Sequence, residues 1–177
     1  MSTVKELFGG AITMTLPSNL IDASDIRQVP DTQEVFLYPD AGKSLILEVL
    51  ERVQPSDYQD AVRFHFDSLA HDNSATSHSV EEIQHILNDR GDDTPSHTLL
   101  TGRQIVAKYN RATADNIQIF MALYRVEGKN VDLVLTMNVP IVSADGGAVG
   151  EIGIAPAKHD FETAARSLCI KDFSLFA

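Results

Sequence analysis

The chain predicts an α+β fold, an antiparallel sheet with helices packed on it, and three observations carry that reading. Its strand-like runs are interrupted by one helix and followed by a second, an order unlike the βαβα alternation of a parallel sheet. Two long runs, Ile117 to Val126 and Val131 to Val139, are joined only by Glu127-Gly128-Lys129-Asn130, a hairpin-length connection. The 177 residues, without internal repeat, suit one domain over 1–177. A domain of that size buries roughly 70% of the surface its unfolded chain exposes.

The elements follow from local pattern. Ala11 to Leu16 alternates Ile12, Met14 and Leu16 with Thr13 and Thr15, a half-buried strand that Pro17 stops. In the next segment, Ile21 to Phe36 (IDASDIRQVPDTQEVF), Asp22 as an N-cap makes Asp25 the third residue of a short helix. Ile21 and Ile26 then take the two positions of a hydrophobic staple. Val35 to Tyr38 is a strand, and Pro39, Asp40 and Gly42 turn the chain into another at Ser44 to Val53. Leu45, Leu47 and Val49 share one face of it; Ile46 and Leu50 share the other with Glu48, so it reads as covered on both sides.

Pro55-Ser56-Asp57 opens the first long helix. Ser56 and Gln59 have capping-box spacing, and Tyr58, Ala61, Val62, Phe66 and Leu69 recur at helical intervals. His71 to Ser79 ends it. Val80 to Leu87 fits either period and is assigned to a strand from its context; Asn88 to Pro95 is a loop. Leu99 to Tyr109 begins the set of three long β runs. A glycine-rich, mobile loop, Ser143 to Gly153, precedes a final helix at Ala157 to Leu168 with Phe161, Ala164 and Leu168 on one stripe.

Composition narrows the function classes. Hydrophobic content of 44% and charged content of 22% are ordinary for a globular protein. The charge is not: 25 Asp plus Glu oppose 14 Lys plus Arg, for a formal net charge of −11. Such a field repels nucleic acid and anionic membrane, and speeds encounter with basic partners. The lone cysteine, Cys169, excludes an internal disulfide and is expected to be a buried, inert thiol beside Leu168 and Ile170. No apolar run approaches the ~20 residues of a membrane span, and the first residues lack a secretory h-region, so a soluble intracellular product is expected.

Several motif-like stretches fail on their mechanics. Gly42-Lys43-Ser44 has Leu37 where a P-loop needs glycine, and a strand follows it where a helix is required. Gly146, Gly147, Gly150 and Gly153 lack GxGxxG spacing and a strand-turn-helix frame. The six histidines form no i, i+4 pair, so neither metal nor cofactor is expected. His65, between Phe64 and Phe66, reads as a packed, hydrogen-bonded side chain.

That leaves the acidic segment. Asp22, Asp25, Asp31 and Glu34 surround one basic residue, Arg27, and one proline, Pro30. Asp22 and Asp25 have helix-end roles. Asp31 and Glu34 follow the Pro30 corner and have no evident local structural role. They fit a solvated acidic face better than an acid–base pair, which needs a cleft that raises one carboxyl.

At these residues the chain resembles the Mog family of Ran-binding proteins, the Ran guanine nucleotide release factors. The matching pieces are Phe8-Gly9-Gly10-Ala11, the whole IDASDIRQVPDTQEVF segment and Phe64-His65-Phe66. They also include Leu100-Thr101-Gly102-Arg103-Gln104 with Ile105 to Tyr109, Asp132 to Pro140 and Ser174 to Ala177. The resemblance implies a Mog/PsbP-like α/β/α sandwich, an antiparallel β-sheet flanked by helices on both faces. It further implies a monomer in the nucleus, and also the cytoplasm, that binds the GTPase Ran, promotes release of its nucleotide and supports nuclear import, with room for a further Ran-binding protein in a ternary complex. The acidic surface that carries Ran binding in that family maps onto Asp31 and Glu34, with Asp25 and Arg27 as neighbours. A non-exchanging Ran adaptor and a small enzyme built on the acidic pair are the alternatives.

Overall fold

The computed structural model describes residues 1–107 and 113–177. In chain order its elements are β1 (Ser2–Leu7), β2 (Ile12–Pro17), β3 (Ile21–Asp22), β4 (Gln33–Leu37), β5 (Ser44–Glu51) and α1 (Tyr58–Asp72). There follow β6 (Ser77–Ile86), β7 (His97–Val106), β8 (Asp115–Val126), β9 (Val131–Val142), α2 (Ile154–Ser167) and β10 (Cys169–Ile170). One antiparallel sheet has the order β3-β4-β5-β9-β8-β7-β6; a smaller one has the order β1-β2-β10.

Alternation along β8 sorts the core into two layers. Ile119, Met121 and Leu123 pack with Ala61, Val62 and Phe66 of α1 on one face. Phe120, Ala122 and Tyr124 pack with Ala157, Phe161 and Ala164 of α2 on the other, where Ile12, Met14 and Leu16 of the small sheet close the layer. Helices therefore cover opposite faces of the large sheet. Gly102 makes the α1 contact possible: a Cβ there would lie 2.7 Å from the Phe66 ring and 2.7 Å from the Ser79 carbonyl oxygen.

The expected elements are present, with physical reasons for the differences. The α1 N-cap is Asp57, whose Oδ1 accepts from the N–H groups of Gln59 (2.9 Å) and Asp60 (3.1 Å), one residue beyond the expected capping box. α2 starts three residues early, because Pro156 in a first turn forfeits no intrahelical donor. β5 is covered on one side only. Leu45 and Leu47 are buried, whereas Ile46, Glu48 and Leu50 on the α1 side are half-buried.

The 143–153 loop is pinned and not free, by Gly42 N–H to Gly147 O (2.8 Å) and Val149 N–H to Pro140 O (2.9 Å). Cys169 is half-buried instead of buried, with its Sγ 3.7 Å from Asp92 Oδ2. Residues 108 and 109 of the expected Leu99 to Tyr109 strand lie outside the described residues. No helix among the described residues is long and apolar enough to cross a membrane.

Candidate functional site

The acidic segment is built from two tight turns at the β3–β4 edge of the large sheet. Asp22 Oδ1 accepts from the Ser24 N–H (2.9 Å) and hydroxyl (2.7 Å), the expected cap of a one-turn 3₁₀ helix at Ala23–Asp25. The N–H groups of Ile26 and Arg27 both bond the Ala23 carbonyl, at 3.1 and 3.0 Å, which closes the turn. So short a helix leaves no staple: Ile26 stays 66% exposed. Further along, the Gln33 N–H donates to Pro30 O at 3.0 Å, which places Asp31 and Thr32 at the tip of a β-turn. Val49 N–H donates to Thr32 O at 2.9 Å and ties that tip to β5.

Alternation in β4 then separates the two expected contact residues. Glu34 shares a face with Phe36, on the side of the small sheet, and its Oε1 accepts a 2.8 Å hydrogen bond from the Phe8 N–H. Glu34 thus has a structural role that local sequence did not reveal. It secures a turn in which Phe8, Gly9 and Gly10 all have positive φ (50°, 67° and 95°). Glycine occupies that region freely and phenylalanine does not, so an anchor on the Phe8 amide offsets strain in the backbone. Gln33, pointing the other way, donates from Nε2 to Glu48 Oε2 at 2.9 Å.

The remaining three expected residues, Asp25, Arg27 and Asp31, are exposed. Among the described residues Arg27 reaches only the adjacent Gln28 carbonyl, at 3.4 Å. Among the described residues no lysine or arginine pairs with Asp25, Asp31 or Glu34. Asp31 borders a depression with Gln28, Val29 and Pro30 in which Glu34 takes no part. The two carboxylates therefore do not converge on one reacting atom. No group of three potential metal ligands occurs among the described residues.

Two other polar sites lie apart from the expected residues. A cavity of about 600 Å³ is bordered by Tyr38, Lys43, His159 and Asp160, and includes none of the expected residues. There the Tyr38 hydroxyl donates to Asp160 at 2.8 Å; burial first, then that bond, pushes the phenol above its ordinary range. The second is a buried network. His65 Nε2 lies 2.7 Å from Asp132 Oδ2, Arg125 Nε donates to Asp132 Oδ1 at 3.0 Å, and the Val53 N–H donates to Oδ2 at 3.2 Å. His65 is thus the packed, hydrogen-bonded residue that its sequence setting suggested. Arg125 and Asp132 entered no expectation, since they are adjacent only through the register that places them opposite each other on β8 and β9.

The family model described as "Ran-interacting Mog1 protein" matches residues 5–140. The chain belongs to the Mog1 family. The human protein named Ran guanine nucleotide release factor is 36% identical over 96% of this chain and 94% of its own. The nuclear import protein MOG1 of Saccharomyces cerevisiae is 30% identical over 97% of this chain and 84% of its own. A crystal structure of the Ran-binding protein Mog1p of that yeast superposes over 100% of this chain and 99% of that one, with a TM-score of 0.75 and 28% identity. The Mog1 fold accordingly accounts for the mixed α+β architecture with antiparallel sheets and two helices. In this Mog1 chain the matched stretch contains both the Phe8 turn and Glu34, the two ends of the 2.8 Å bond.

Proposed function

We propose that this chain binds Ran through the acidic face at Asp31, with Asp25 and Arg27 beside it, and promotes release of Ran's guanine nucleotide in support of nuclear import. The observation that carries the reading is Asp31 itself: an exposed carboxylate on a rigid turn, paired with no described cation, in a chain of net charge −11. The names of the human and yeast relatives point the same way. Nuclear residence, with passage through the cytoplasm, is part of the same proposal, as is action by a monomer.

The release mechanism follows from linkage. A GTPase holds its nucleotide through a phosphate-binding lysine, backbone amides and Mg²⁺. A partner that prefers the emptied state lowers nucleotide affinity by the factor by which nucleotide lowers its own. Asp31 suits that task because a carboxylate pairs with basic surface groups and competes for a cation that the phosphates otherwise hold. No covalent step is needed, so the chain is a regulator and not a catalyst of bond chemistry. The test is loss of labelled nucleotide from GTP-loaded and GDP-loaded Ran after adding the purified chain. Accelerated loss supports the proposal; a complex that leaves the release rate unchanged supports an adaptor instead.

A further inference from the structure

On the α1 side of the large sheet, a groove of about 320 Å³ runs between α1 and β5. Leu50, Phe64 and Leu69 supply apolar lining, and Glu48, Glu51 and Asp72 supply carboxylates; among the described residues no lysine or arginine borders it. Phe64 is 47% exposed, although the neighbouring Phe66 of the same helix is fully buried. β5 leaves its side chains half-buried along this stretch. An exposed aromatic beside unfilled aliphatic surface, edged by one sign of charge, is the composition of a docking site.

We infer that this groove is a second contact for the same GTPase partner, which seats there a lysine- or arginine-bearing segment with one bulky apolar side chain between Leu50 and Phe64. The inference rests on the Ran-binding reading. Charge selects the occupant: three carboxylates, with no lysine or arginine among the described residues that border them, attract a basic segment and repel an acidic one. A second copy of this chain is disfavoured, since a twofold contact brings the same carboxylates together and each copy has a net charge of −11. Continuity selects the partner. The Gln33 to Glu48 bond (2.9 Å) and the Val49 to Thr32 bond (2.9 Å) fasten the groove to the turn that carries Asp31. A partner docked at Asp31 therefore has the groove within the same rigid surface.

Amide hydrogen exchange of the full chain, alone and with nucleotide-free Ran, tests this together with the affinities of three variants. These are Phe64→Ala, the groove triple Glu48→Gln/Glu51→Gln/Asp72→Asn, and a charge-matched control, Asp89→Asn/Asp93→Asn/Asp145→Asn. The expected result is protection of both 25–34 and the groove segments 48–53 and 64–72. Phe64→Ala and the groove triple should each weaken the complex about tenfold, with the control within about twofold of wild type. Protection confined to 25–34, or equal losses in the groove and control triples, overturns the groove contact and leaves Ran binding at Asp31 intact. Protection of the groove without 25–34 keeps the groove and overturns the role of Asp31. Failure of the wild-type chain to form any complex overturns both proposals.

Discussion

The Glu34 carboxylate accepts a 2.8 Å hydrogen bond from the backbone N–H of Phe8, and so joins the start of β4 to the turn between β1 and β2. Glu34→Ala removes the acceptor and leaves a part-buried amide unpaired, at an expected cost of about 1–3 kcal/mol. Glu34→Gln keeps an acceptor oxygen and should lose less than half as much. Denaturant unfolding compares the two, and exchange of the Phe8 amide should quicken in the alanine variant only. A loss of Ran binding in Glu34→Ala that Glu34→Gln restores would assign Glu34 to positioning the turn.

The buried ion pair makes a second prediction. Arg125 and Asp132 side chains are both inaccessible to solvent, and Arg125 also donates to the carbonyls of Val53 (2.8 Å) and Pro55. Asp132→Ala strands the guanidinium and should cost about 3–5 kcal/mol in equilibrium unfolding. Burial raises the Asp132 carboxyl, but bonds from His65, Arg125 and the Val53 N–H outweigh it and hold the group below its ordinary value of 3.8. Its contribution is therefore present above that value and lost as pH falls through the lower folded one.

His97 acts in a higher window. The residue is 4% exposed, its Nε2 has no hydrogen-bond partner among the described residues, and its ring packs 5.1 Å from the Tyr124 ring. Burial, followed by the charges of Arg166, His85 and Arg90, lowers it from 6.5 to about 4. Between these values the unfolded chain binds the extra proton, so stability should decline from pH 6.5 toward pH 4, by roughly 3 kcal/mol at most. His97→Leu should flatten that part of the profile; an unchanged slope would assign it to other groups.

Gly102→Ala sets a Cβ against the Phe66 ring and the Ser79 carbonyl, each at 2.7 Å. Overpacking of this kind should destabilise by about 1–3 kcal/mol. Adding Phe66→Leu should recover part of the loss by relieving the ring clash, which thermal unfolding of the double variant would show.

Which parts of this were legible in the sequence follows from range. Alternation in Ala11 to Leu16 and helical spacing from Tyr58 to Leu69 are local signals, and both elements formed. β1, β3 and β10 were not anticipated, because Ser2–Leu7 is mostly exposed and the other two strands have two residues each. Their pairing partners, not their composition, make them strands. At the candidate site, the Asp22 cap and the Pro30 turn were readable since both close within four residues. The Glu34 bond was not, because it spans 26 residues and depends on which face of β4 each side chain takes. The only hint was that the Phe8 and Asp31 blocks occur together in the family that the chain resembles. Arg125 and Asp132 are only seven residues apart across the expected hairpin; what sequence did not reveal is that their paired side chains are fully buried.

The central claim is that Asp31, and not the fold-supporting Glu34, presents the charge that docks Ran. It is tested most directly by the affinity of Asp31→Lys for nucleotide-free Ran, with its unfolding free energy measured in parallel. The account predicts a complex weakened by at least about tenfold, in a variant whose stability stays within about 0.5 kcal/mol of wild type. A stable Asp31→Lys chain that binds Ran as tightly as the wild type would contradict it.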